Sequence, residues 1–186
     1  MTKNDEKRIV KIAEREIEVF AKEWQKSPYL WESETDVHAE LYIKIKASLR
    51  KKFPLRPYKY EGMAKEELFN WIYCKPKTYI GTKFTLPDLV IYKDAGEKCN
   101  VSNKENEPML WVCEIKYITD WSGLFPKEEI EKDINKLKCL LNSEKNGSDY
   151  ACCLILRRNI PLSKTVEKVL RGRDRRIHLY QYDIKK

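Results

Sequence analysis

No stretch of the chain approaches the ~18 consecutive apolar residues of a membrane-spanning helix, and the opening segment MTKNDEKRIVKIAEREIEVF carries charges throughout. Neither a spanning helix nor a secretory leader is expected, so the chain reads as soluble, intracellular and cytoplasmic, with no membrane partner. Its six cysteines, Cys74, Cys99, Cys113, Cys139, Cys152 and Cys153, contain no C-x-x-C pair. That absence speaks against a cysteine-based metal or dithiol site and for free thiols in a reducing compartment. Repeats and low-complexity tracts are missing as well.

What is present is a chain of 186 residues, enough for one domain with a real core and short for two. The 37 Lys and Arg outnumber the 29 Asp and Glu, leaving a net charge of +8. Such a surplus suits a polyanionic partner, although charge alone does not decide function.

Apolar residues Ile9, Ile12, Ala13, Ile17, Phe20 and Trp24 recur at helical spacing and predict an N-terminal amphipathic helix over about 5–25. A second helix is expected from Ser33 or Thr35, with Val37, Leu41, Ile45 and Leu49 as its apolar stripe and Pro54 as its stop. The stretch AKEELFNWIY reads as a shorter helix. Three β-rich runs follow, KTYIGTKF, DLVIYK and LWVCEIKYI, the last two joined by a polar loop. Ile130, Ile134, Leu137 and Leu141 predict a third long helix, DYACCLILRR a buried strand, Ser163 to Leu170 a final helix and RIHLYQYDI a last strand. The reading is one α/β domain over 1–186, a mixed sheet flanked by helices, with the N-terminal helix packing on a core of about 33–186.

Alternation along LWVCEIKYI sends Trp111, Cys113 and Ile115 to one face and Val112, Glu114 and Lys116 to the other. An isolated E-x-K could be a charged pair facing water. In a strand that helices cover on both faces, however, two ionised side chains need compensation. Asp88, at the start of the preceding strand, would join them if the two strands pair, bringing two carboxylates and an ammonium to one end of the sheet. Hard divalent cations such as Mg²⁺ favour that oxygen set.

PDLVIYK and WVCEIKY, with 25 residues between Asp88 and Glu114, resemble the motif of the PD-(D/E)XK nuclease superfamily. The resemblance covers roughly 33–157 and implies a restriction-endonuclease-like core of order α-β-β-β-α-β, to which the N-terminal helix is an addition. It further implies a metal-dependent endonuclease or exonuclease, with DNA favoured over RNA as substrate. Asp88 and Glu114 would hold Mg²⁺ or Mn²⁺ with the main-chain carbonyl of Ile115, and Lys116 would orient the attacking water. A helix glutamate completes the site in many members; around the helix Glu34 lies within the apolar arc and Glu40 on its flank, so Glu34 is preferred and Glu40 second.

His38, one turn after Glu34, resembles the helical histidine ligand of viral cap-snatching endonucleases, an RNA-cleaving alternative within the same superfamily. Lys132 and Lys136, on the helix after E-x-K, and Arg157, Arg158 and Trp121 are candidates for nucleic-acid contact. A homodimer or a partner protein is expected if cleavage is sequence-specific. A nucleic-acid-binding domain that keeps the fold without catalysis is the remaining alternative.

Overall fold

Thr2 and Asp5 form a reciprocal capping box, each side chain accepting from the other's backbone N–H, and so start helix α1, Lys3–Lys26. Ser33 and Asp36 repeat the device at α2, Glu34–Lys52. Each box satisfies two donors that the first helical turn leaves open. A three-residue 3-10 turn, Pro28–Leu30, joins the two helices.

The molecule is described by a computed structural model for residues 2–53, 87–93, 109–119, 127–144 and 147–184, and by backbone alone for short strand segments within 57–85. These segments are β1 (Pro57–Tyr58), β2 (Glu67–Leu68), β3 (Ile72–Cys74), β4 (Thr78–Ile80) and β5 (Lys83–Thr85). After them come β6 (Leu89–Tyr92), β7 (Met109–Ile118), α3 (Lys127–Asn142), β8 (Ser148–Arg158), α4 (Lys164–Arg171) and β9 (Ile177–Ile184).

The main sheet has the order β3-β6-β7-β8-β9. Its first two pairings are antiparallel, and β7, β8 and β9 run parallel through the crossover helices α3 and α4. The mixed α/β architecture expected from the pattern of elements is therefore present. Two local expectations change. The described residues of AKEELFNWIY, Glu67–Leu68 and the start of β3, are strand rather than helix, because β3 gains a ladder against β6 and its aromatic and β-branched residues suit a strand. KTYIGTKF is not one strand of the main sheet but holds two segments, β4 and β5, which among the described residues pair only with each other.

Each face of the sheet carries its own core. On one, α1 and α2 bury Ile9, Ile17, Phe20, Trp24, Leu41 and Ile45 against Trp111, Cys113, Ile115 and Leu154. On the other, α3 and α4 bury Ile130, Ile134, Leu137 and Val166 against Val112, Cys153 and Ile155. Each fully buried aliphatic or aromatic side chain contributes about 1.5–3 kcal/mol by leaving water. β7 is sealed on both faces, as expected of an apolar strand that helices cover on both sides, so Glu114 is held in a dry setting and Lys116 in a partly buried one. Among the described residues no helix is long and apolar enough to cross a membrane.

Candidate active site

Strand length creates the site. β6 has four residues and β7 has ten, so β6 accompanies β7 only from Met109, opposite Tyr92, to Cys113, opposite Leu89. β8 continues along the other edge as far as the Ile118–Arg157 pair. From Glu114 onward, the β6-side edge of β7 therefore has no neighbouring strand among the described residues. Two carboxylates take the place of a strand there. The Ile115 N–H donates to Asp88 Oδ2 at 2.7 Å, and the Tyr117 N–H donates to Glu34 Oε2 at 3.3 Å. In a strand the N–H and C=O of one residue point the same way, so the Ile115 carbonyl faces the same open edge.

Helix α2 brings the third group. His38 lies one turn beyond Glu34 and is 1% exposed, with Nε2 3.5 Å from Asp88 Oδ2 and 3.8 Å from Glu34 Oε1. One ligand atom from each of Glu34, His38 and Asp88 falls within a 4.8 Å span. Around an ion with ligands at about 2.1 Å, neighbouring ligand atoms stand about 3.0 Å apart and opposite ones about 4.2 Å. The separations of 3.5 and 3.8 Å lie between those two values, so the three side chains could hold one cation; the carboxylates suit Mg²⁺ or Mn²⁺ and the imidazole suits transition metals.

On the α3 side of β7 the charges alternate. Lys136 Nζ is 2.7 Å from Glu114 Oε2 and 3.5 Å from Asp133 Oδ1, while Asp133 Oδ2 is 3.2 Å from Lys116 Nζ. Glu114 is 1% exposed and Asp133 7%. Among the described residues Glu114 Oε1 accepts no hydrogen bond. Burial, and then the nearby Asp88 charge, push the Glu114 carboxyl well above the ordinary range against the opposing pull of Lys136. For Lys116, burial alone would lower the pKa, but Asp133, Glu34 and Glu129 outweigh it and hold the ammonium protonated.

No family model, curated protein or solved structure matches this chain.

The described geometry nevertheless separates the residues singled out in the sequence. Asp88, Glu34, His38 and the Ile115 backbone meet at the open edge, and Glu114 and Lys116 stand beside them on the α3 face. Glu40 is elsewhere, 3.4 Å from Lys44, which also pairs with Glu23 of α1. Lys136 sits inside the charge cluster rather than on a solvent face, whereas Lys132 is exposed. Arg157 is spent on Asp183 and on the Ile160 carbonyl. Arg158 is buried against the rings of Tyr29 and Tyr117. Trp121 lies outside the described residues. His178 lies on β9, 2.6 Å from Glu14 and far from this cluster in the sheet order.

Sequence reasoning missed Asp133. A signal was there, because Asp133 lies three residues after Ile130 and four before Leu137, within the buried stripe of α3. A carboxylate in an apolar arc calls for a buried cation, and Lys116 is that cation. The balance of the assembled group is also informative. Leaving out the exposed Glu129, 3.7 Å from Lys116, four carboxylates (Glu34, Asp88, Glu114 and Asp133) face two ammonium groups (Lys116 and Lys136), an excess of two formal negative charges. A bound divalent cation would cancel that excess.

Proposed function

We propose that this protein is a metal-dependent nuclease of the PD-(D/E)XK type, hydrolysing phosphodiester bonds in nucleic acid, with DNA favoured over RNA. The observation that carries the reading is the convergence of Asp88, Glu34, His38 and the Ile115 carbonyl at the open edge of β7, one residue from Glu114 and Lys116. The order α2, β3, β6, β7, α3, β8 supports it, being the α-β-β-β-α-β order of a restriction-endonuclease-like core. The net charge of +8 supports a polyanionic substrate.

A divalent cation held by Asp88, Glu34 and His38 would supply an activated water and neutralise charge on the scissile phosphate. The chain's own contribution is to place the donors. The edge N–H groups of Ile115 and Tyr117 orient the carboxylates of Asp88 and Glu34, and the packing of α2 fixes His38. Lys116, held cationic by Asp133, stabilises the charge that develops on the phosphate oxygens and orients the incoming water. Lys136 offsets part of the cost of keeping Glu114 ionised beside Asp88.

The deciding experiment is cleavage of labelled single-stranded DNA, duplex DNA and RNA in Mg²⁺, Mn²⁺ or EDTA, by wild type, Asp88→Ala and Lys116→Ala. Metal-dependent cutting that both substitutions abolish is the expected result. No cutting of any substrate, with binding unchanged in both variants, would overturn catalysis and leave a binding domain.

His38 favours a second reading, an RNA endonuclease of the cap-snatching kind, because it is buried at ligand distance from Asp88. That reading requires preference for single-stranded RNA, selectivity for Mn²⁺ over Mg²⁺, and loss of the Mn²⁺ response in His38→Ala.

A further inference from the structure

Among the described residues Arg158 has no counter-ion. It ends β8, is 6% exposed, and among the described residues its side chain makes neither an ion pair nor a hydrogen bond; its buried Nε has no partner. Instead the guanidinium lies 4.9 Å from the centre of the Tyr29 ring and 5.5 Å from that of Tyr117. Cation–π contacts stabilise such a group only in part, and a buried charge normally has an ionic partner.

Tyr29 is the opposite anomaly, an aromatic ring 68% exposed on a backbone that is firmly held. Tyr117 Oη lies 2.7 Å from the Trp31 carbonyl oxygen and 3.2 Å from that of Pro28, donating to the pair that flanks Tyr29. Trp31 packs edge-on against Phe20 with ring centres 5.0 Å apart. The turn is thus pinned to the core while the Tyr29 ring, with Arg158 behind it, is presented to solvent.

The same Tyr117 connects this platform to the proposed active site, since its backbone N–H donates to Glu34. The turn that carries Tyr29 is therefore tied through Tyr117 to Glu34 of the cluster. Both features lie at the carboxyl ends of the parallel strands β7 and β8, where open α/β sheets bind ligands.

We propose that Tyr29 and Arg158 form a nucleotide subsite beside the metal cluster, in which an unpaired base stacks on the open face of the Tyr29 ring and a neighbouring phosphate pairs with the Arg158 guanidinium. The subsite deepens the nuclease reading, and its role in positioning substrate rests on it. The ligand class is a single-stranded nucleic acid, because a base held in a duplex stack cannot lie flat on a protein ring. Phosphate pairing supplies the counter-ion that Arg158 lacks among the described residues.

The test measures binding separately from cleavage. Full-length Asp88→Ala protein in EDTA is titrated into labelled oligothymidylate, oligouridylate and a blunt duplex of the same length, with fluorescence anisotropy as the readout. Adding Tyr29→Ala is expected to weaken single-strand binding roughly tenfold or more, with Tyr29→Trp retaining it and duplex binding unchanged. Adding Arg158→Gln is expected to reduce the slope of log affinity against log salt by about 0.7. If Arg158→Gln fails to fold by circular dichroism, Tyr29→Ala decides alone, its side chain being exposed. The two oligonucleotides distinguish a DNA from an RNA strand.

The subsite is overturned if the Asp88→Ala parent binds no single strand, or if Tyr29→Ala binds single strands as its parent does, or if it loses duplex and single-strand binding equally. Tyr29-dependent binding without cleavage by the wild type would keep the subsite and discard the nuclease. Metal-dependent cleavage with Tyr29-independent binding would do the reverse.

Discussion

The Asp88 carboxylate stands in for a missing strand, accepting from the Ile115 N–H at 2.7 Å where β6 has ended and β7 continues. One oxygen of the side chain is thereby oriented by the backbone, 3.5 Å from His38. Asp88→Asn keeps an acceptor oxygen for Ile115 and removes the charge. The expected outcome is a folded protein whose melting temperature no longer responds to Mn²⁺. In the wild type, Mn²⁺ at about 100 times its Kd should stabilise the fold by about 2.7 kcal/mol.

The two helix glutamates provide a paired test. Glu34→Ala removes the acceptor of Tyr117 N–H and one metal donor, and should abolish both the Mn²⁺ thermal shift and cleavage. Glu40→Ala removes only a partly exposed partner of Lys44, and pairs of this kind near the surface are worth about 0–1 kcal/mol. Its cleavage rate should match that of the wild type.

Glu114 makes a prediction about pH. A carboxyl whose folded pKa lies above its unfolded value near 4.5 binds more protons in the folded than in the unfolded chain through the interval above 4.5. Stability contributed by this group therefore falls as pH rises through that interval. Glu114→Gln should flatten the fall and raise the melting temperature of the metal-free protein above pH 5, while abolishing cleavage. A denaturation series across pH, run in EDTA on both proteins, measures it. Equal slopes for the two would refute the placement of Glu114 in a dry, negatively charged setting.

Asp133 touches Lys116 and Lys136 and none of the residues of the proposed metal cluster, so it is a positioning residue. Asp133→Asn leaves a side chain of the same shape but loosens the Lys116 ammonium. Cleavage should fall about a hundredfold in kcat with KM little changed, since a small misplacement of a catalytic group costs about that much. Asp133→Glu should recover part of the loss, an outcome a purely structural role in α3 would not produce.

Thiol accessibility tests the packing of the sheet. Cys113, Cys152 and Cys153 are buried and Cys139 is exposed, and burial raises the pKa of the three buried thiols. A thiol reagent on the native protein should modify Cys139 and spare those three until the fold is denatured.

The four helices and the strands β6 to β9 were legible in the residues because each is long enough to show its period. The starts expected at Ser33 or Thr35 and at about Ser163 match the caps Ser33 and Ser163, and alternation correctly put Glu114 and Lys116 on one face of β7. The stretch from 64 to 85 was misread because its segments are only two or three residues long. At that length a pairing partner outweighs local preference, and the partner of β3 is β6, met only after the chain has turned back.

The sequence by itself determined the α/β class, the composition of both cores and the polar residues that interrupt them. Tertiary structure alone decided which of those polar residues meet. Glu34 reaches Tyr117 across 83 positions, Asp88 reaches Ile115 across 27 and Lys136 reaches Glu114 across 22. No local period encodes such contacts. They exist because β6 is shorter than β7 and leaves an edge open, and because two helices packed on opposite faces of the sheet each bring charge to its end.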